Sequence, residues 1–171
     1  MTSRFLISAI FLIVAGAFTQ VQADGSLPKP VGNVILDLSG NLQNSNTTEG
    51  HAQFDLAMLK GMPAIDVKTG TPWYDGIQKL TGVRIRDLLR AAGATGTTIE
   101  AIALNNYMVT IPVAETMDTD VIIAYAFDDK PMSVRDKGPL WVIYPLTDHP
   151  SLDVPDIHAK MIWQLKAMTI Q

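Results

Sequence analysis

The chain has 171 residues, a formal net charge of -4 and no cysteine. Without cysteine, thiolate nucleophiles, iron–sulfur clusters and zinc–thiolate sites are excluded. The lysines and arginines are scattered and form no basic stripe, so nucleic acid is not an expected partner. The length suits one domain that is large enough to bury a hydrophobic core.

The first residues have the pattern of a secretory signal peptide. Arg4 precedes an apolar run at residues 5–18, and Val21 and Ala23 supply the small-residue cleavage pattern. We therefore expect cleavage after Ala23, with residues 24–171 exported to the periplasm as one domain. The alternative is a retained membrane anchor, but the run is shorter than the roughly 20 residues that a spanning helix needs.

The N-terminal half predicts two strands around a short helix. Apolar runs at residues 31–38 and 64–68 predict the strands, and the polar segment 40–50 predicts a loop. Asp55 precedes an apolar segment and is placed to cap a helix that ends at Gly61.

The C-terminal half begins with the clearest helix, at residues 83–92, which has one apolar face and ends at Gly93. Asn105-Asn106 predicts a tight hairpin, and Asp156 is expected to cap a short helical turn. Further strands are predicted at residues 99–104, 107–111, 121–127, 140–144 and 163–170. Two helices and about seven strands without a βαβ rhythm predict an α+β fold.

Motifs for phosphate, metal or nucleophilic chemistry are missing from the sequence. It has no glycine-rich phosphate loop, HExxH motif or EF-hand. His149 and His158 with Asp153 form one possible metal set, but their spacing has no specificity, and loop histidines are the favoured interpretation. Asp148 beside His149 suggests a hydrolase, yet no Gly-x-Ser-x-Gly elbow accompanies the pair.

The aromatic residues are the more informative group. Trp73 lies in a predicted turn, where it could form the rim of a pocket, and Tyr107 follows the predicted hairpin turn. Trp141 and Tyr144 lie in an apolar run, and Trp163 lies on the last predicted strand, where core packing is the favoured role. Aromatic rings with a few polar groups are the usual walls of a small-molecule site.

The order of the predicted elements resembles the molybdopterin-binding domain of the sulfite-oxidase superfamily. The resemblance implies a single domain of mixed β-sheets with a few short helices. It is carried by residues 54–59, 80–93, 105–112, 121–126, 137–145 and 162–165.

Three positions depart from the pattern of the family enzymes. Those enzymes ligate molybdenum through a cysteine, which corresponds here to about Thr69-Gly70, and hold the cofactor phosphate with basic residues at the positions of Trp141 and near Ile162. Since none of these groups is present, the resemblance implies a bare pterin as the ligand, with neither molybdopterin nor a metal.

In this respect the chain resembles the small periplasmic pterin-binding branch of the superfamily. That resemblance implies a non-catalytic sensor that acts on a membrane protein with diguanylate cyclase and phosphodiesterase domains, and so on cyclic-di-GMP. Trp141 is expected to stack on the pterin. The whole expected ligand-binding set is Trp141, Tyr144, Tyr107, Asn105, Arg135, Lys137, Trp73 and Thr69.

Two alternatives stay open. One is a molybdopterin-dependent oxidoreductase, or an accessory subunit of one, with a divergent active site. The other is a structural periplasmic domain with an empty pocket.

Overall fold

The computed structural model describes residues 27–171. The predicted signal peptide at residues 1–23 and its cleavage site lie outside this range. Between residues 27 and 171, no helix has the length and apolar character that crossing a membrane requires.

The described residues form ten strands and four α-helices. In chain order these are β1 (Val34–Gly40), β2 (Ala52–Asp55), α1 (Leu56–Gly61), β3 (Ala64–Thr71), β4 (Tyr74–Arg84), α2 (Ile85–Ala91), β5 (Thr98–Ala103), β6 (Met108–Pro112), α3 (Val113–Asp118), β7 (Ile122–Phe127), β8 (Lys130–Pro131), β9 (Trp141–Ile143), α4 (Pro155–Lys160) and β10 (Leu165–Ile170).

The strands form two sheets. The first has the order β2-β1-β10-β5-β6, and only its β1–β10 pair is parallel. The second has the order β3-β4-β7-β8, and β9 also pairs with β7. The β5–β6 turn of the first sheet and the β3–β4 turn of the second, together with α4, surround the candidate site described below.

One hydrophobic core joins the sheets and helices. Helix α2 contributes the apolar face that its sequence predicts, with Ile85, Leu88 and Leu89 buried. At the crossing of β4 and β7, a side chain at Gly82 would collide with the backbone of Ile123, so only glycine allows this close approach. Trp141 and Tyr144 are the largest fully buried side chains.

The predicted α+β class is confirmed, and several local signals are correct. Asp55 caps α1, because its Oδ1 accepts a hydrogen bond from the Met58 amide at 2.8 Å. Gly93 follows α2 with a φ of +59°, as expected for a helix C-terminus. Asn106 has a φ of 65° in the turn between β5 and β6.

Other predictions need correction. The second helix begins at Ile85 rather than residue 83, because the preceding residues belong to β4, a strand that the sequence pattern does not indicate. Helix α3 was also missed. Asp156 lies inside the first turn of α4, whose N-cap is Val154, and β10 begins at Leu165 rather than at residue 163.

Candidate ligand-binding site

A pocket of about 390 Å³ lies between the β3–β4 turn, the β5–β6 turn and α4. Its volume falls in the range of small-molecule sites, and its walls are mainly apolar and aromatic. We call it the aromatic pocket. It is lined by Trp73, Ala103, Asn105, Tyr107, His158, Ala159, Met161, Ile162 and Trp163.

Two tryptophans form one wall of the aromatic pocket. Trp73 lies at the tip of the β3–β4 turn, and Trp163 lies between α4 and β10. Their ring centroids are 5.1 Å apart with an interplanar angle of 85°, an edge-to-face pair. The backbone of Trp163 is fixed by an isolated bridge to Trp141, and the neighbouring Ile162 carbonyl accepts from the Val142 amide at 2.9 Å.

The β5–β6 turn supplies polar groups at the opposite side. The Oδ1 atom of Asn105 accepts from the Tyr107 amide at 3.0 Å, and the Tyr107 hydroxyl lies 3.5 Å from the Ala159 carbonyl. Tyr107 is 48% exposed, so its ring lies at the mouth of the pocket. These contacts orient an amide and a phenol toward the space beside α4.

His158 separates the aromatic pocket from a second, more polar pocket of about 530 Å³. The His158 Nε2 atom lies 2.7 Å from Asp153 Oδ1, and the imidazole lies edge-on to Trp73 with centroids 6.4 Å apart. His149, the third member of the possible metal set, is not part of this pair. Across residues 27–171, no three histidine or acidic side chains are grouped closely enough to hold a metal.

Thr69 is completely buried, whereas its bonded neighbour Gly70 and its hydrogen-bond partner Thr147 line this polar pocket. Its Oγ1 accepts from the Thr147 amide at 3.1 Å, and the Gly70 amide donates to Thr147 Oγ1 at 3.0 Å. The Thr69 hydroxyl therefore ties β3 to the loop after β9 and is not directed at a ligand.

Trp141 and Tyr144 do not line the aromatic pocket, and their expected contact with a ligand needs correction. Trp141 has no exposed surface, and its Nε1 donates to the Met161 carbonyl at 2.9 Å. Its ring packs against that of Trp73 in a tilted arrangement, with centroids 5.6 Å apart. Because no face of Trp141 is free, it cannot stack on a ligand. It contributes to the pocket indirectly, by packing against Trp73.

Tyr144 is buried and belongs to a separate, partly buried network. Its hydroxyl donates to Glu115 Oε2 at 2.9 Å, and Lys160 Nζ lies 2.6 Å from Glu115 Oε1. Burial, together with the adjacent Glu115 carboxylate, raises the pKa of Tyr144 far above its ordinary value. Since Lys160 ends α4, this network holds the helix that forms one wall of the aromatic pocket.

The two expected basic contacts differ in their placement. Arg135 is exposed on a short 3-10 turn and does not line the aromatic pocket. Lys137 lies behind the two tryptophans, with Nζ 4.1 Å from the ring centroid of Trp163 and 5.5 Å from that of Trp73. The expected ligand contact of Arg135 stays a prediction, and Lys137 contacts the pocket through these two rings.

Of the expected residues, the aromatic pocket thus brings together Trp73, Asn105 and Tyr107. Sequence reasoning missed His158 and Met161 and assigned Trp163 to the core. The strand alternation that favoured core packing for Trp163 is broken by Gln164, which has a φ of 52°. A positive φ at a residue other than glycine leaves little signal in a single sequence.

A segment that includes all elements from β2 to β9 matches a known family. The family model described as "Oxidoreductase molybdopterin binding domain" matches residues 45–147. The chain belongs to this family. The matched segment includes one side of the aromatic pocket, and α4 and Trp163 follow it in the chain.

The fold is also similar to that of a solved member of the superfamily. The crystal structure of the sulfane dehydrogenase SoxCD from Paracoccus pantotrophus matches with a TM-score of 0.59 and 16% identity, over 79% of this chain and 37% of that chain. At this identity the likeness shows the sulfite-oxidase-like fold, and this chain spans little more than a third of that relative. No curated protein matches the chain.

Cysteine-ligated molybdenum does not fit the residues of this family member. The chain contains no cysteine. Thr69, at the position expected for the metal ligand, offers a hydroxyl that is buried against Thr147. Ile162 is apolar, and the indole of Trp141 is uncharged and donates to the Met161 carbonyl. Neither residue therefore supplies a cation for the phosphate of molybdopterin.

Proposed function

We propose that this chain is a non-catalytic pterin-binding protein of the periplasm that regulates a membrane-bound diguanylate cyclase and phosphodiesterase. The observation that carries the proposal is the aromatic pocket, framed by Trp73 and Trp163, in a molybdopterin-binding-family chain that has no cysteine. The pterin of molybdopterin is the part of the cofactor that needs neither the metal ligand nor the phosphate contacts.

The walls of the aromatic pocket suit a pterin ring. A pterin is flat and heteroaromatic, so it gains from an aromatic face and from hydrogen-bonding groups in its plane. Trp73 and Trp163 provide the aromatic surface. Asn105, Tyr107 and His158 provide polar atoms around it, with an amide, a phenol and an imidazole that donate and accept hydrogen bonds.

A titration with biopterin, a fluorescent oxidised pterin, tests the binding step. We expect saturable binding with quenching of tryptophan fluorescence, because Trp73 and Trp163 line the pocket and would contact the ligand. Release of pterin fluorescence on denaturing protein purified from its native cells would identify a natural ligand. Folded protein that neither binds biopterin nor releases a pterin would refute the proposal.

The regulatory step is proposed from the resemblance to the periplasmic pterin-binding branch and from the signal-peptide pattern. It predicts that two separate changes, deletion of the gene and replacement of Trp163 with alanine, shift the cellular cyclic-di-GMP level in the same direction. If the Trp163→Ala protein accumulates normally and leaves cyclic-di-GMP at its wild-type level, signalling does not depend on the pocket.

A molybdopterin-dependent oxidoreductase, or an accessory subunit of one, is the second candidate, and family membership is the observation that favours it. Elemental analysis separates the two proposals. Stoichiometric molybdenum together with oxidase or reductase turnover would support the second candidate and overturn the first.

A further inference from the structure

Four aromatic rings surround the ammonium group of Lys137. The distances from Nζ to the ring centroids are 4.1 Å for Trp163, 5.5 Å for Trp73, and 5.6 Å for both Tyr74 and Trp141. All four lie within the roughly 6 Å over which a cation interacts with an aromatic face. We call these four rings the aromatic cage.

The backbone fixes Lys137 in this position. Its φ is 69°, a left-handed conformation that is uncommon for a residue other than glycine. Its carbonyl accepts from the Gln164 amide at 3.0 Å, and Gln164 Nε2 donates to the Val134 carbonyl at 2.7 Å. The lysine segment is thus bound directly to the segment that carries Trp163.

The rings take the place of a counter-ion. Within residues 27–171, Lys137 forms no ion pair with a carboxylate, and the side chain of the adjacent Asp136 accepts from Ser133 Oγ at 2.7 Å. Burial also lowers the pKa of Lys137. A half-buried ammonium without an anion is stabilised here chiefly by the negative faces of the rings.

Trp73 and Trp163 belong to both the aromatic cage and the aromatic pocket, because their rings surround Lys137 and also line the pocket. Trp73 is on a turn and Trp163 is on an irregular segment, so neither ring is oriented by a regular strand. Lys137 itself does not line the pocket. A force that orients both rings from behind would therefore set the shape of the pocket wall.

We propose that Lys137 is a positioning residue whose ammonium fills the aromatic cage and holds Trp73 and Trp163 in the arrangement that receives the ligand. The effect on ligand affinity rests on the proposed pterin-binding function, whereas the effect on the rings does not. The cage itself has the chemistry of an alkylammonium site, which this chain fills with its own lysine.

The test compares Lys137→Ala with Lys137→Met, and uses Lys130→Ala as the matched control. Lys130 is an exposed lysine of the same region and is not part of the cage. Near-ultraviolet circular dichroism reports the packing of the tryptophans without any ligand. Biopterin titration measures the affinity of the pocket for its ligand. Tetramethylammonium chloride supplies a free cation for the emptied cage, and sodium chloride at the same concentration is the control for ionic strength.

We expect both Lys137 variants to lose part of the near-ultraviolet signal and to bind biopterin about 5- to 30-fold more weakly, which corresponds to a cation–π contribution of roughly 1–2 kcal/mol. Tetramethylammonium should restore signal and affinity in Lys137→Ala. It should not do so in Lys137→Met, because the methionine side chain fills the cage without a charge. Lys130→Ala should match wild type.

Either of two outcomes would overturn the proposal. Lys137→Met with a wild-type near-ultraviolet spectrum would mean that the aliphatic stem, not the charge, packs the rings. If tetramethylammonium does not restore the near-ultraviolet signal and the biopterin affinity of folded Lys137→Ala, the rings do not need a cation. If wild type does not bind biopterin, the pterin proposal fails, and the spectra still decide the role of Lys137.

Discussion

Replacing Trp163 with alanine should weaken biopterin binding while leaving the protein folded. Trp163 is partly exposed, lines the aromatic pocket and forms an edge-to-face pair with Trp73. Its backbone bridge to Trp141 does not depend on the side chain. The substitution therefore removes a pocket wall and leaves the main-chain connection that places α4 and β10.

The size of the effect follows from ring stacking. A base-like ring gains about 1–3 kcal/mol from one aromatic side chain, by analogy with nucleobases. That range corresponds to a roughly 5- to 150-fold rise in the dissociation constant. The loss of folding stability should be smaller than the roughly 3–5 kcal/mol that removing a fully buried tryptophan costs, because Trp163 keeps part of its surface in solvent.

Calorimetric titration with biopterin measures the dissociation constant, and a thermal melt on the same samples measures the folding stability. Phe127→Ala is the matched control, since Phe127 is also partly exposed and packs on Tyr74 at 4.9 Å, but does not line the aromatic pocket. We expect near wild-type affinity for this control. If folded Trp163→Ala binds biopterin as tightly as wild type, the ligand does not lie against this wall.

Three further predictions concern stability and composition. Trp141→Phe leaves the buried Met161 carbonyl without its donor and should lower the free energy of unfolding by about 1–3 kcal/mol, measured by urea denaturation; an unchanged value would mean that the hydrogen bond contributes nothing. The Asp55 carboxylate accepts from the amides of Gly32, Met58 and Val31, which lower its pKa. The stabilising effect of the ionised Asp55 carboxylate is therefore present at neutral pH and is lost as the pH falls from about 3.9 through the lowered pKa. The difference in melting temperature between wild type and Asp55→Asn should shrink in acid. A difference that stays constant with pH would contradict this. Protein produced in molybdate-supplemented cells should contain no stoichiometric molybdenum by elemental analysis, because the chain has no thiolate; about one atom per chain would contradict it.

Local chemistry made part of the fold predictable. The Asp55 cap, the apolar face of α2 and the left-handed Gly93 each depend on residues within one or two turns of each other. Strand β4 was missed because its first four residues, from Tyr74 to Ile77, are exposed, and because it buries Gln78, whose amide donates to the carbonyls of Asp75 and Gly76. A polar side chain satisfied inside its own turn does not produce the apolar pattern of a buried strand.

The candidate site was predictable only in part. Trp73 and Tyr107 were placed near a pocket because both adjoin predicted turns, and the structure brings them to one cavity. Trp141 was assigned from the position of a basic residue in related enzymes, and its burial shows that a large ring at that position turns into the core. Which face Trp163 presents depends on the φ of Gln164 and on the distant Lys137 carbonyl, which are tertiary properties.

The most direct test of the central claim is the identity of the small molecule that the protein carries from its native cells. Protein purified under mild conditions would be denatured, and the released material examined by fluorescence and mass spectrometry, with molybdenum measured in the same sample. We expect a stoichiometric pterin without metal. A sample that releases molybdopterin with equimolar molybdenum, or that is folded and releases no pterin, would contradict it.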